Sequence, residues 1–175
     1  FPKAHAAAYV ISAFRVAYFK VHHPLWYYCS YFSVRVDDFD IETMIKGYDA
    51  IKDKIVELEA KGKEATNKET NIIETLKIAL EATARGIKFA PLSVTESGAK
   101  NFVIKDDHTL IPPFRTIDGL GLTVAEKIVE EREKNAFLSI EDLQKRGKVS
   151  ATLIDKMRMM GMLDNMDESS QLSLF

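Results

Sequence analysis

The chain has 175 residues, 46% of them apolar, enough to bury the core of one good-sized domain or two small ones. Lys and Arg number 24 against 26 Asp and Glu, a formal net charge of -2, which excludes a broadly basic stand-alone nucleic-acid binder. The single cysteine, Cys29, excludes a disulfide framework and fits a reducing, cytoplasmic compartment. Charged or His residues interrupt each apolar run short of a membrane span, so no membrane partner is expected. No signal peptide is expected. The chain opens without Met, directly into a helix-like segment, as if cut from something longer.

In chain order, residues 4 to 22 read as one Ala-rich helix. Val10, Ile11, Phe14, Ala17, Tyr18 and Val21 form its apolar stripe. Pro24 stops it, and a second, aromatic helix from Leu25 to about Phe32 makes a compact hairpin with it. Asp40 is the N-cap of a helix whose stripe Ile41, Met44, Ile45, Tyr48, Ile51, Ile55, Leu58 runs to Gly62. Thr66 and Glu69 form a capping box for the next helix, which buries Ile72, Ile73, Leu76, Ala79 and Leu80 and ends at Gly86. The adjacent His22 and His23 leave a helix in different directions and have no Cys or carboxylate cluster nearby, so no metal site is expected. Between 87 and 114 four prolines and glycines break helices, and Phe102-Val103-Ile104 and Thr109-Leu110-Ile111 flank Asp106-Asp107-His108 as a short β-hairpin.

The stretch Ile117-Asp118-Gly119-Leu120-Gly121-Leu122-Thr123-Val124-Ala125 puts a tight glycine turn at the mouth of a helix. Glycine lets the backbone bend sharply and approach a ligand. The first amide N–H groups of the helix lack intrahelical partners and sit at the positive end of its dipole, so they can hold a phosphate. Thr123 and Glu126 also spell a plain capping box, which any helix entry can use. The pattern resembles the helix-hairpin-helix motif, which implies a grip on the DNA backbone through Gly119, Leu120, Gly121 and Thr123. That family often has a basic residue where this chain has Leu122-Thr123, which would leave the contact to amides and the Thr123 hydroxyl. Ser139, with Asp142 at the third helical position, and Ser150 cap two further helices. Between them Arg146-Gly147-Lys148-Val149 reads as a degenerate second copy with Arg146 and Lys148 as backbone contacts.

From Asp164 the chain turns polar and reads as disordered. It then finishes on Gln171-Leu172-Ser173-Leu174-Phe175. Three large apolar residues on an acidic tail need a partner's pocket. The pentapeptide resembles the motif by which bacterial polymerases and repair proteins bind the β sliding clamp.

Phe1-Pro2-Lys3-Ala4-His5-Ala6-Ala7-Ala8-Tyr9 carries a cation at Lys3 and places His5 and Tyr9 four apart on one helical face. It resembles the Phe-x-Lys-x-His-x-Ala-Ala-Tyr motif in the fingers of C-family bacterial replicative polymerases. With the paired hairpins and the tail, the whole chain is similar to the C-terminal part of the Gram-positive PolC-type DNA polymerase III alpha subunits. The resemblance implies a DNA-directed DNA polymerase, a nucleotidyltransferase of DNA replication whose parent also carries a 3'-5' exonuclease. It implies that Phe1, Lys3, His5 and Tyr9 contact the incoming dNTP. Primer-template DNA, the sliding clamp, the upstream part of the polymerase and other holoenzyme subunits would be partners, and Mg2+ would be held by carboxylates outside this chain.

The expected architecture is mainly α: a helical fingers segment over 1–86, a connector with a short β-hairpin over 87–114, a tandem helix-hairpin-helix domain over 115–163, and a flexible tail over 164–175. No Asp-x-Asp pair lies in a plausible strand, since Asp40 of the Asp38/Asp40 pair reads as a helix cap. Two-metal nucleotide addition needs such carboxylates, so this chain alone is expected to be inactive. A competing reading is a non-catalytic helix-hairpin-helix adaptor that binds DNA and clamp; it leaves the Lys3-His5-Tyr9 motif without a role.

Overall fold

The computed structural model describes residues 2–169. It is mainly helical, with eight α-helices and one small sheet among the described residues. Helix α1, Lys3–His22, is followed after a single residue by α2, Pro24–Val34, with Pro24 at the first helical turn, where its missing N–H costs nothing. The pair is less compact than its apolar stripe suggests. No residue of α1 is buried, and Phe14 is 72% exposed. Only the last turns of α1 meet the body. Lys20 reaches Glu81 at 2.9 Å and lies 5.5 Å from the Tyr27 ring, and Arg85 donates to the Lys20 carbonyl at 3.2 Å.

Helix α2 carries the centre of the core through Leu25, Tyr28 and Phe32. Phe32 packs edge-on against Phe89 at 5.4 Å and tilted against Phe102 at 5.6 Å. The helix expected from Asp40 to Gly62 is broken. Asp40 does cap α3, Ile41–Met44, accepting from the Thr43 amide at 3.2 Å, but Gly47 adopts φ +90° and α4, Tyr48–Glu59, starts afresh. Only a residue without Cβ turns the chain there at low cost. Helix α5, Asn67–Ala84, opens on the full Thr66/Glu69 capping box and packs along α4, with Leu76 and Ala79 buried.

The expected β-hairpin forms from β2, Val103–Asp106, and β3, Thr109–Ile111. A third strand, β1, Lys88–Phe89, pairs parallel to β3 and gives the order β1-β3-β2. Two residues show no alternation, so this strand left no mark in the sequence pattern. The last third holds α6, Leu122–Lys134, α7, Ile140–Gly147, and α8, Ala151–Met159. Two arginines tie it to the rest by feeding on carbonyls. Arg115 donates to Phe32, Ser33 and Val36 at the end of α2, and Arg132 of α6 donates to Val94 and Ser97.

Candidate nucleic-acid interface

A short 3-10 turn, Phe114–Thr116, leads into the first hairpin. The Leu120 amide donates to the Ile117 carbonyl at 3.0 Å, closing a tight turn, while Gly119 sits at φ +84° and Leu120 plugs the core at 5% exposure. Gly121 is the N-cap of α6, and its carbonyl accepts from Val124 and Ala125, each at 3.1 Å. The helix therefore starts too early for the expected Thr123/Glu126 capping box. Thr123 falls inside the first turn and is exposed. Among the described residues, no acceptor in the chain takes the N–H of Gly119, Gly121, Leu122 or Thr123. A Cβ added at Gly121 meets nothing within 4 Å, so the mouth is open to a ligand.

The second hairpin repeats this geometry 29 residues on. Lys148 stands at φ +53° where the first copy has Gly119, and it is the sole non-glycine residue with positive φ among the described residues. Val149, at 3% exposure, plugs the core as Leu120 does. Ser150, with φ -67° and ψ 156°, matches Gly121 at φ -69° and ψ 152°. Thr152 falls where Thr123 does, and both are exposed. The amides of Ser150, Ala151 and Thr152 have no acceptor among the described residues. Thr152 escaped the sequence reading because Lys148 and Ser150 stand where the first copy has Gly119 and Gly121, although the common offset of the Thr and Lys residues (Thr123/Lys127 and Thr152/Lys156) was there to be read.

The mouth of α7, which lies between these two, is closed. Ser139 Oγ accepts from the Asp142 amide at 3.1 Å. The Ile140 and Glu141 amides donate to the Asp167 and Glu168 carbonyls at 2.8 and 3.1 Å. Within residues 164–169, expected to be disordered, Asp167 and Glu168 thus serve as the cap of a helix whose own amides need acceptors. Of the three helix mouths in this region, two face outward with unpaired donors and one is sealed by the chain itself.

Charge around the mouths is nearly balanced, with nine Lys and Arg against eight Asp and Glu over residues 115 to 163. Asp118 in the first turn pairs with Lys68 at 2.9 Å and Lys156 at 3.6 Å, and Lys156 also donates to the Asp118 carbonyl at 2.8 Å. Lys68 first, and Lys156 after it, hold the Asp118 carboxyl below its ordinary value. The second copy is tied to the first across this contact. A cleft of about 320 Å³ lined by Asp37, Asp38, Lys68, Arg115 and residues 117–121 opens beside the first hairpin.

Arg146 departs from its expected place at the DNA backbone. Its guanidinium donates to the Glu131, Asn135 and Ala136 carbonyls, meets the Glu131 and Asp142 carboxylates, and lies 4.8 Å from the Phe137 ring. It welds the end of α6 to α7. Lys148 is exposed beside the turn. On the flank of α6, Lys134 first and Lys127 after it pull the Glu131 carboxyl down to about 2.

The other expected site residues lie apart from the hairpins. Lys3, His5 and Tyr9 are exposed on the outer part of α1, where His5 and Tyr9 rings meet edge-on at 4.6 Å. Phe1, and the pentapeptide Gln171, Leu172, Ser173, Leu174 and Phe175, fall outside the described residues. Asp40 is occupied by Thr43, and Asp38 accepts from Asn71 at 2.8 Å. Among the described residues no His, Cys, Asp and Glu side chains gather in a group able to hold a metal ion. No described helix is long and apolar enough to cross a membrane.

Comparison with known proteins agrees with this geometry. Residues 86–172 match the model of the helix-hairpin-helix motif. All 175 residues align at 53% identity with DNA polymerase III PolC-type of Bacillus subtilis strain 168 and at 49% with that of Oceanobacillus iheyensis; the counterpart in Streptococcus sanguinis strain SK36 is 54% identical over 177 aligned positions. The chain spans 12% of the length of these relatives. It belongs to the PolC-type DNA polymerase III family, as the counterpart of the C-terminal part of its members.

Proposed function

We propose that this chain is the duplex-holding and nucleotide-presenting end of a replicative DNA-directed DNA polymerase. The single observation that carries the duplex grip is the pair of open helix mouths at α6 and α8, related by a 29-residue repeat, with unpaired amides and an exposed Thr at the same place in each. Each mouth receives one phosphate on backbone N–H groups, with the Thr123 or Thr152 hydroxyl beside it and Lys148 supplying a nearby cation. Such contacts read no base, so the grip is indifferent to sequence. The near-balanced charge makes the mouths, rather than a basic field, the centre of binding.

Lys3 and His5, with Tyr9 and Phe1 flanking, are assigned to the incoming dNTP on the strength of the fingers motif, and the exposed face of α1 suits a pocket completed by the rest of the polymerase. Template-directed addition uses divalent metal ions, Mg2+ in the cell, held by carboxylates elsewhere in the parent. This chain alone does not polymerise. The exonuclease, too, belongs to the rest of the parent, and the assembly works in the cytoplasm. The terminal Gln171-Leu172-Ser173-Leu174-Phe175 binds the sliding clamp and keeps the duplex grip at the primer end by raising its effective concentration.

Duplex binding by the 175-residue chain, followed by fluorescence anisotropy on primer-templates of unrelated sequence, tests the reading. Equal affinities that fall as salt rises are expected. Absence of binding, or a strong preference for one sequence, overturns it.

A further inference from the structure

The acidic segment before the terminal pentapeptide is a strap with four separate attachments. Leu163 is buried and Met166 packs against the core, with the Met166 amide donating to the Leu163 carbonyl at 3.0 Å. The Asp167 and Glu168 carbonyls cap α7. Glu168 takes Arg158 of α8 through both carboxylate oxygens. Ser169 Oγ donates to Glu141 Oε2 at 2.9 Å. Only Ser170 then separates the last of these attachments from Gln171.

We infer that residues 163–169 are a fixed short tether, which delivers the clamp-binding pentapeptide to one spot beside the N-terminus of α7 and so holds the clamp against the duplex-gripping unit. This inference rests on the clamp reading of the tail given above. The chain from Ser169 reaches about 7 Å to Gln171, whereas a chain free from Leu163 onward would reach about 28 Å. A short tether confines the clamp to a small volume next to the hairpins, and that confinement sets the effective concentration of one on the other. Leu138, one residue before the α7 cap, is 74% exposed.

The test uses the intact polymerase, the clamp, and a primer-template ringed by that clamp. Four variants separate the contributions: deletion of residues 171–175, insertion of twelve Gly and Ser residues between Ser169 and Ser170, Arg158→Glu alone, and Arg158→Glu with Glu168→Arg. Affinity for ringed and bare primer-template is measured, together with affinity for free clamp. The insertion leaves free-clamp affinity unchanged and lowers the gain from the ring about tenfold, following the length dependence of tethered binding. Arg158→Glu lowers the gain part-way and the charge exchange restores it. Should the deletion abolish the gain while the insertion leaves it within twofold, the fixed tether is overturned and the clamp reading stands. Should the deletion leave the gain intact, the clamp reading fails and the tether with it.

Discussion

Lys148 and Arg146 show how little a residue's type says about its work. Both are cations in the same turn, but Lys148 points to solvent from a left-handed backbone while Arg146 is consumed by three carbonyls and two carboxylates. Sequence reasoning grouped them because direction is set by tertiary partners that no local pattern encodes. Lys148→Ala should therefore weaken duplex binding equally for all sequences and reduce the slope of log affinity against log salt by about 1, read from anisotropy titrations. Gly119 was legible, since its φ of +84° is what the Gly-Leu-Gly turn announces. Gly119→Val imposes strain of roughly 1–3 kcal/mol on the turn and should lower duplex affinity about tenfold. At Glu131 the carboxyl titrates near 2 instead of its ordinary 4.5 because Lys134 and Lys127 face it. A depressed carboxylate stabilises the fold fully above its unfolded value and loses that contribution as pH falls through the folded one. The Glu131 side-chain NMR resonance should thus titrate near 2, and Lys134→Ala should move the midpoint up toward 4.5.

Among the elements, those with complete local signals were read well. The Thr66/Glu69 capping box starts α5 where expected, and Ser139 and Ser150 cap α7 and α8. Thr66→Ala should cost about 1 kcal/mol in urea denaturation, the usual worth of an N-cap. Breaks were harder. Gly47 interrupts an unbroken helical stripe, because the same apolar spacing serves two successive helices as well as one long one. The helix mouths themselves split by something outside their own sequence, namely whether another segment supplies carbonyls. Hydrogen exchange should separate them: the Ile140 and Glu141 amides, which donate to the Asp167 and Glu168 carbonyls, are protected, and the Leu122 and Ala151 amides exchange fast. Arg146→Lys cannot reproduce a planar fork that serves several acceptors, and should lower stability by about 2 kcal/mol while leaving duplex affinity of the folded protein unchanged.

At the scale of the molecule, the chain is a core-bearing body whose first helix lies uncovered and whose residues 163–169 are fastened to α7 and α8. Helix α1 has no buried residue, although its apolar residues are those of a core helix. Its apolar stripe was readable in the sequence, but no described element buries it. The tandem hairpins are joined to the rest by Arg115, which donates to carbonyls at the end of α2, and by Arg132, which donates to the loop carbonyls of Val94 and Ser97. The central claim is that backbone amides at the mouths of α6 and α8 hold the duplex. Proline at the first helical position of each removes one such donor with little strain, because Gly121 and Ser150 before it already have the extended backbone that a following proline requires. The most direct measurement is duplex affinity of the Leu122→Pro, Ala151→Pro and double variants, each checked for an unchanged melting temperature. The account predicts a fall of about tenfold for each and a larger one for both together, the worth of a charge-assisted hydrogen bond per mouth. Affinity equal to that of the parent sequence in the folded double variant would contradict it.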